Sequence, residues 1–232
     1  MVETEVAAIP YERQQDADGN RMCGAAALCM VYRSFGVECT QAEVWQAVAG
    51  GTRSARTRLI CADSLQRGFD ALIVRARVPW DVLRVCSGNS IRAILNHRIA
   101  IESSHGHYTV LVGLDDGRAV VHDPKAGPAR NLDRTLLLQL WQPNGPASEI
   151  TGRVLVAIAR REHATVVVCS RCRAPIPESA RCGRCAATIR LQPAAVLGCV
   201  AEDCDGRLWE ALFCPRCDTY RIQITPAGDE PV

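Results

Sequence analysis

Eight of the thirteen cysteines of this chain stand in four close pairs in its last third. The first and second pairs are Cys-x-x-Cys motifs nine residues apart; the third pair, Cys-x4-Cys, and the fourth, Cys-x-x-Cys, are also nine residues apart. A loop this short lets both sulfurs of a pair reach one ion about 2.3 Å away, and two pairs complete a tetrahedron. The pattern therefore predicts two structural zinc ions held by Cys169, Cys172, Cys182, Cys185, Cys199, Cys204, Cys214 and Cys217.

The way in which four pairs share two ions is open at this point. We expect pairs that are adjacent in the sequence to share an ion, so that the Cys169 pair joins the Cys182 pair. The rival is a nested arrangement, in which the Cys169 pair joins the Cys214 pair. Iron is a rarer alternative to zinc, because four thiolates also suit that metal.

The N-terminal residues bear on the redox compartment. Met-Val-Glu-Thr-Glu-Val has no basic region followed by an apolar core, so it does not resemble a signal peptide. No apolar run approaches the roughly 18–20 residues that a membrane span needs. A cytoplasmic location is therefore predicted, and in that compartment paired cysteines indicate metal binding rather than a disulfide framework.

A second signal lies near the N-terminus. Cys23 opens an apolar helical segment and is followed by Gly-Ala-Ala-Ala, while His107 and Asp123 lie much later in strand-like runs. A thiol at a helix N-terminus feels the positive end of the helix dipole, which favours the thiolate. Together with an imidazole base and an orienting carboxylate, this thiol predicts nucleophilic catalysis.

The periodicity of the first 160 residues changes from helical to strand-like. Thr40 and Glu43 have the spacing of a capping box, and Asp115-Asp116-Gly117-Arg118 is typical of a hairpin turn. We expect helices at about 23–35, from Thr40 to Gly50, 53–67, 79–85 and 90–97, and strands at 71–74, 98–103, 107–114, 118–123 and 154–159. Helices followed by an antiparallel sheet indicate the α+β fold class, with the cysteine facing the histidine across a cleft.

Composition and spacing also predict the domain organisation. The chain has 232 residues, enough for one domain of ordinary size and something small. The polar stretch Arg160–His163 marks a boundary, so the predicted domains are residues 1–160, a first zinc ribbon over 161–195 and a second over 196–232.

Four segments carry a resemblance to a known family. Ile9-Pro10-Tyr11-x-x-Gln14, Cys23–Leu28, His107–Leu111 and His122-Asp123-Pro124 resemble the bacteriocin-processing, double-glycine peptidases, a branch of the papain-like cysteine peptidases. The resemblance covers residues 8–159. Residues 165–225 resemble double zinc-ribbon modules.

The resemblance implies a papain-like fold and assigns roles to the site residues. It implies that Cys23 is the nucleophile, His107 the general base and acid, and Asp123 its orienter, with cleavage after small residues such as Gly-Gly. It also implies an upstream glutamine that donates to the oxyanion. Ala17 holds the usual position of that glutamine, so Gln14 is favoured over its neighbour Gln15, with residues 16–19 looping out.

No chemical role is expected for the remaining histidines or for the remaining cysteines of the first 160 residues. His105 would share a strand face with His107 and is the main decoy, whereas His122 should point to the opposite face from Asp123. We expect His97 and His163 to be solvent or boundary residues. Core packing is the expected role of Cys29, Cys39, Cys61 and Cys86.

Three functions remain open at this point. The first is a cytosolic cysteine peptidase whose zinc ribbons dock a protein substrate or partner. The second is a catalytically silent binding module that holds a peptide tail, and the lengthened segment between Gln14 and Cys23 supports it. The third, a nucleic-acid adaptor, is disfavoured by charge: the chain carries +2, and eight thiolates with two zinc ions add −4, which gives −2.

Overall fold

The computed structural model describes residues 8–15, 21–161, 167–220 and 222–224. Within these ranges the helices are α1 Cys23–Ser34, α2 Gln41–Val48, α3 Thr57–Gln66, α4 Pro79–Gly88, α5 Arg134–Leu140 and α6 Gln192–Val196. The strands are β1 Asp70–Ala76, β2 Arg92–Arg98, β3 Gly106–Leu114, β4 Arg118–Asp123, β5 Gly127–Asp133, β6 Val154–Ala159, β7 Val167–Val168, β8 Pro175–Ile176, β9 Ser179–Cys182, β10 Thr188–Arg190, β11 Trp209–Phe213 and β12 Ile222–Gln223.

A seven-stranded sheet organises the molecule, in the order β11-β1-β6-β2-β3-β4-β5. Neighbouring strands in it are antiparallel, and the turn at 115–117 joins β3 to β4 as a hairpin. Helices packed against an antiparallel sheet confirm the predicted α+β fold class.

The N-terminal helices begin and end where the sequence signals place them. α1 ends before Gly36, whose φ of 78° suits a residue without a side chain. Thr40 accepts from the Glu43 backbone and Glu43 accepts from the Thr40 backbone, so the predicted capping box forms. The third helix is shorter than expected, because α3 starts at Thr57 and not at Arg53.

The prediction for residues 90–103 was wrong. Residues 92–98 form β2 and not a helix, and the expected strand at 98–103 is a turn after its first residue. Strand β2 lies between β3 and β6, and all seven of its residues are buried. A strand covered on both faces shows no alternation of polar and apolar residues, so periodicity alone cannot separate it from a helix.

Two hydrophobic clusters lie on the two faces of the sheet. One joins α1, α2 and α3 to a row of cross-strand partners on β3, β2, β6, β1 and β11: Val110, Ile94, Val156, Ile73 and Phe213. The other joins α4 and α5 to residues of the cysteine-rich region, including Ile189, Leu191 and Trp209. The C-terminal region therefore shares the core of the sheet.

Ion pairs reinforce this attachment of the C-terminal region. The Asp70 carboxylate on β1 is fully buried and accepts from Arg190 Nε at 2.9 Å, with Arg161 Nε at 3.5 Å. Arg153 donates to Glu210 on β11 at 2.8 Å. Loss of Arg190 would leave a buried carboxylate poorly compensated, which proteins tolerate badly.

Some expectations fall on residues that the structure does not describe. They are residues 16–19, which were expected to loop out, and the boundary residue His163. The domain limits at 160/161 and 195/196 stay predictions. In the part of the chain that is described, no helix combines the length and the apolar character that crossing a bilayer requires.

Candidate active site and metal centres

Cys23 is the first residue of α1 and is 5% exposed. The preceding residue, Met22, makes no side-chain cap, so no capping side chain competes for the N–H groups of the first turn. A Cβ on Gly24 would lie 2.4 Å from Ala55 Cβ and 3.2 Å from Tyr108 Cδ2. Glycine therefore allows the start of α1 to approach Tyr108, the neighbour of His107 on β3.

His107 and Asp123 lie on adjacent strands, β3 and β4. Nε2 of His107 donates to Asp123 Oδ1 at 2.8 Å. The same carboxylate oxygen accepts from the backbone N–H groups of Lys125 and Ala126, at 2.9 and 3.0 Å. These bonds fix the carboxylate, which in turn fixes the imidazole and leaves its Nδ1 for Cys23.

The electrostatics of the site favour an ion pair between His107 and Asp123. Burial would lower the pKa of His107, but the hydrogen bond to Asp123 and the interaction with the Cys23 thiol raise that pKa to about 9. Burial would raise the pKa of Asp123, but the bond to His107 and the backbone N–H groups hold that pKa well below its usual range. Near neutral pH, His107 is therefore an imidazolium beside an ionised Asp123.

Replacing Asp123 by alanine is expected to impair hydrolysis less than replacing His107, because an orienting carboxylate transfers no proton itself. The change removes a bond that raises the pKa of His107, so the imidazolium loses its proton at a lower pH. The alkaline limb of the pH–rate profile, near pH 9 in the natural chain, should move down. Parallel losses of hydrolysis and of folding stability, with the alkaline limb of the pH–rate profile unmoved, would contradict the orienting role of Asp123.

The structure separates Gln14 from Gln15. The backbone N–H of Gln14 donates to the carbonyl of Pro124 at 2.9 Å, directly after Asp123. Gln15 is exposed, and its N–H donates to the Gln41 side chain on α2 at 2.9 Å. The segment that contains Gln14 thus runs beside the end of β4.

One of the other described histidines lies elsewhere than expected. His105 is exposed and precedes β3, while His122 is buried and its Nε2 bonds to the carbonyl of Ile9. His97 is 3% exposed, so its expected place at the solvent boundary was wrong. The cause is β2, whose central position buries it.

His97 is one of two site residues that the sequence analysis missed. Its ring packs edge-on against His107, with centroids 5.8 Å apart. Nδ1 donates to the Arg98 carbonyl at 2.7 Å, so Nε2 must accept from the Thr109 hydroxyl at 3.0 Å. Burial lowers the pKa of His97 to about 4, which keeps a neutral ring beside the His107 imidazolium.

Glu149 is the other site residue that the sequence analysis missed. It accepts two hydrogen bonds from Arg21, at 2.8 and 2.9 Å, and one from the Gly106 backbone at 2.8 Å. The carboxylate thus joins the chain just before Cys23 to the chain just before His107. No local pattern around an isolated loop glutamate could have indicated this contact.

An open cavity of about 460 Å³ lies beside Cys23. Tyr108, Asn96, Arg21 and Glu149 belong to its lining. A cleft of this size accommodates several residues of an extended peptide next to the thiol.

Comparison with known proteins decides the family. The model of the peptidase C39 family matches residues 8–144, which include Cys23, His107 and Asp123. The chain belongs to the peptidase C39 family. An uncharacterized protein of Methanothermobacter marburgensis is 33% identical over 111 residues, which are 47% of this chain and 68% of that protein.

Two solved peptidase structures share the fold of this chain. The peptidase domain of Streptococcus ComA, described as a bi-functional ABC transporter involved in a quorum sensing pathway, has a TM-score of 0.52 at 16% identity, covering 66% of this chain and 99% of that domain. A C39-like peptidase from Bacillus anthracis has a TM-score of 0.52 at 13% identity, covering 68% of this chain and 97% of its own. At these identities the likeness concerns the fold.

The cysteine-rich region lies beyond the C39 match, and its eight cysteines form two tetrads. The first tetrad is Cys169, Cys172, Cys199 and Cys204; the second tetrad is Cys182, Cys185, Cys214 and Cys217. Within each, the sulfurs all lie within 4.8 Å of one another. The predicted pairing of sequence neighbours was wrong, and so was the nested rival: the pairs interleave, first with third and second with fourth.

The path of the chain explains the interleaving. Strands β9 and β10 carry the second pair away from the first, and β11 then brings the fourth pair back along β1. Gly206 follows the third pair, and a Cβ there would lie 3.3 Å from Cys169 Sγ. Such a side chain would crowd the first tetrad.

The donor chemistry of the tetrads fits a metal ion. Burial raises the pKa of Cys199 in the first tetrad and the pKa of Cys214 in the second tetrad, each to about 12. Without a cation, each tetrad would therefore keep some thiols protonated. A divalent ion would stabilise four clustered thiolates, which is the charge state that metal ligation requires.

The four remaining cysteines are buried within the C39 region, namely Cys29, Cys39, Cys61 and Cys86. Burial raises the pKa of Cys86 to about 12, so this thiol is unreactive. Their position fits the packing role expected for them.

Proposed function

We propose that this chain is a cysteine peptidase that hydrolyses a peptide bond in a protein or leader-peptide substrate. One observation carries the proposal: Cys23 opens α1 beside a His107 imidazole that donates to Asp123 over 2.8 Å. Membership in a family of cysteine peptidases supports it. A nucleophile, a base within reach of it and a third group that orients the base are the usual signature of nucleophilic catalysis.

The first half-reaction would begin from a Cys23 thiolate beside the His107 imidazolium. Cys23 Sγ attacks the carbonyl carbon of the scissile bond, and the carbonyl oxygen becomes an oxyanion. His107 donates its Nδ1 proton to the leaving nitrogen, the C–N bond breaks, and an amine and a thioester form. Asp123 holds the ring in the tautomer and orientation that this transfer needs.

The second half-reaction restores the enzyme. The neutral His107 takes a proton from a water molecule, whose oxygen attacks the thioester carbonyl. The C–S bond then breaks, the carboxylic product leaves, and Cys23 returns to the thiolate beside the imidazolium. One water molecule is consumed for each peptide bond that is hydrolysed.

Gln14 is the proposed oxyanion donor, supported by its backbone bond to Pro124 beside Asp123. Loss of such a donor typically costs about 2.7–4 kcal/mol of transition-state stabilisation. Gln14→Ala should therefore lower kcat about 10²–10³-fold, with little change in KM. Gln15→Ala is the matched control, and a crippled Gln15→Ala beside an active Gln14→Ala would move the role by one residue.

Specificity and accessory roles belong to the same proposal. The resemblance to double-glycine peptidases supports cleavage after small residues such as Gly-Gly. Zinc is the proposed metal of both tetrads, because four thiolates form its common structural site. We further propose that the ribbons dock a protein substrate or partner, and that the chain works in the reducing cytosol, where these thiols stay available.

A thiol-labelling experiment tests the proposal directly. Iodoacetamide should label Cys23 rapidly in the natural chain and slowly in His107→Ala, because the imidazolium that stabilises the thiolate is gone. His105→Ala is the matched control and should label at the natural rate. A Cys23 that is labelled equally in all three proteins, with no cleavage of Gly-Gly peptides, would favour the silent binding module.

A further inference from the structure

The cavity beside Cys23 has a wall that the family match does not include. Ile73 and Tyr108, from the C39 region, line it together with Phe213 and Asp218 from the cysteine-rich region. The family match ends at residue 144, so the latter two lie outside the matched residues. They flank the fourth cysteine pair: Phe213 directly precedes Cys214, and Asp218 directly follows Cys217.

Sheet pairing places Phe213 in this wall. Strand β11 is antiparallel to β1, and Phe213 is the cross-strand partner of Ile73. Both side chains belong to the hydrophobic cluster that contains Cys23. The ring therefore lies on the catalytic face of the sheet, where it extends the apolar surface of the cleft.

The fourth cysteine pair places Asp218. Its N–H donates to the carbonyl of Cys214 at 2.9 Å, and the N–H of Cys214 donates to the carbonyl of Thr219 at 2.8 Å. Asp218 is exposed and has a φ of 63°, a conformation that asparagine also tolerates. The loop that holds Asp218 is thus closed by the ligands of the second tetrad.

We propose that Phe213 and Asp218, which flank the fourth cysteine pair of the second tetrad, form one wall of the substrate cleft and set its affinity for peptides. This inference rests on the proposed peptidase function. Phe213 supplies apolar contact and Asp218 a polar edge, and a metal ion in the second tetrad keeps both in place. Peptide affinity is then coupled to metal loading, while the reactivity of Cys23 towards small reagents is not.

Two reagents separate the wall from the nucleophile. Acetyl-Leu-Ala-Gly-Gly chloromethyl ketone loses chloride as Cys23 Sγ forms a thioether with its methylene, and it must occupy the cleft to do so. Iodoacetamide alkylates the same sulfur without filling the cleft. The rate at Cys23 is followed for each reagent by peptide mapping.

Point variants of the wall give the first readout. Phe213→Leu and Asp218→Asn should each label three- to tenfold more slowly with the peptidyl reagent and unchanged with iodoacetamide. Asp205→Asn is the matched control, because Asp205 also directly follows the last cysteine of its tetrad, the first tetrad. Unchanged peptidyl rates in both wall variants, or equal losses with iodoacetamide, would overturn the wall.

Hydrogen exchange on the full natural chain gives a readout without substitutions. With the peptidyl reagent attached to Cys23, the amides of residues 209–219 should exchange at least threefold more slowly, and those of 199–206 should be unchanged.

A chelator should lower the rate at which the peptidyl reagent labels Cys23 and leave the rate of labelling by iodoacetamide unchanged. Protection confined to residues before 160 overturns the inference, whereas a Cys23 that neither reagent labels overturns the proposed function on which it rests.

Discussion

Replacing Cys23 by alanine or serine is expected to abolish peptide hydrolysis while the fold is retained. The sulfur is the proposed nucleophile, and loss of the nucleophile from a comparable catalytic group lowers kcat on the order of 10⁶-fold. The side chain is small, so its replacement removes little packing. Hydrolysis of a Gly-Gly peptide and the unfolding transition, measured on the same preparations, check both parts.

Two controls make this result specific. Cys29→Ala changes another buried cysteine of α1 and should keep activity close to that of the natural chain. His107→Ala should approach the loss of Cys23→Ala, since members of one catalytic unit are non-additive. Activity of Cys23→Ala within tenfold of the natural chain would exclude Cys23 as the nucleophile. An inactive His105→Ala would show that His105, and not His107, is the catalytic histidine.

Metal removal is expected to have the second large effect. The purified chain should carry two zinc ions, and a strong chelator should unfold most of residues 167–224. Binding to structural four-ligand sites typically supplies about 10–16 kcal/mol, a large share of the stability of this region beside the packing of Ile189, Leu191 and Trp209 in the core of the sheet. Elemental analysis and hydrogen exchange with and without chelator measure the two parts; absence of zinc, or iron in its place, would contradict the metal assignment.

Double variants test the interleaved pairing. Cys172→Ser with Cys199→Ser removes two ligands of the first tetrad and should cost one zinc ion per chain. Cys172→Ser with Cys185→Ser removes one ligand from each tetrad and should cost both. Pairing of sequence neighbours predicts the reverse, so the zinc content of these two proteins distinguishes the arrangements.

Strand β2 illustrates where sequence reasoning reached its limit. Residues 92–98 carry Asn96, His97 and Arg98, which read as polar surface. Only the pairing of β2 with both β3 and β6 buries them, and that pairing joins segments distant in the chain. His97 became a neighbour of His107 for the same reason, so the contact between the two rings could not be predicted.

Local chemistry decided what the sequence determined by itself. Three features depend only on residues that are near neighbours in the sequence, so their geometry follows from spacing. They are the cysteine before Gly-Ala-Ala-Ala at a helix start, the histidine in a strand, and the four short cysteine loops. Tertiary structure decided which cysteine loops meet, that Glu149 joins the segments that precede Cys23 and His107, and that Phe213 and Asp218 line the cavity beside Cys23. These contacts depend on the path of the whole chain around the sheet, which brings together residues that no short pattern relates.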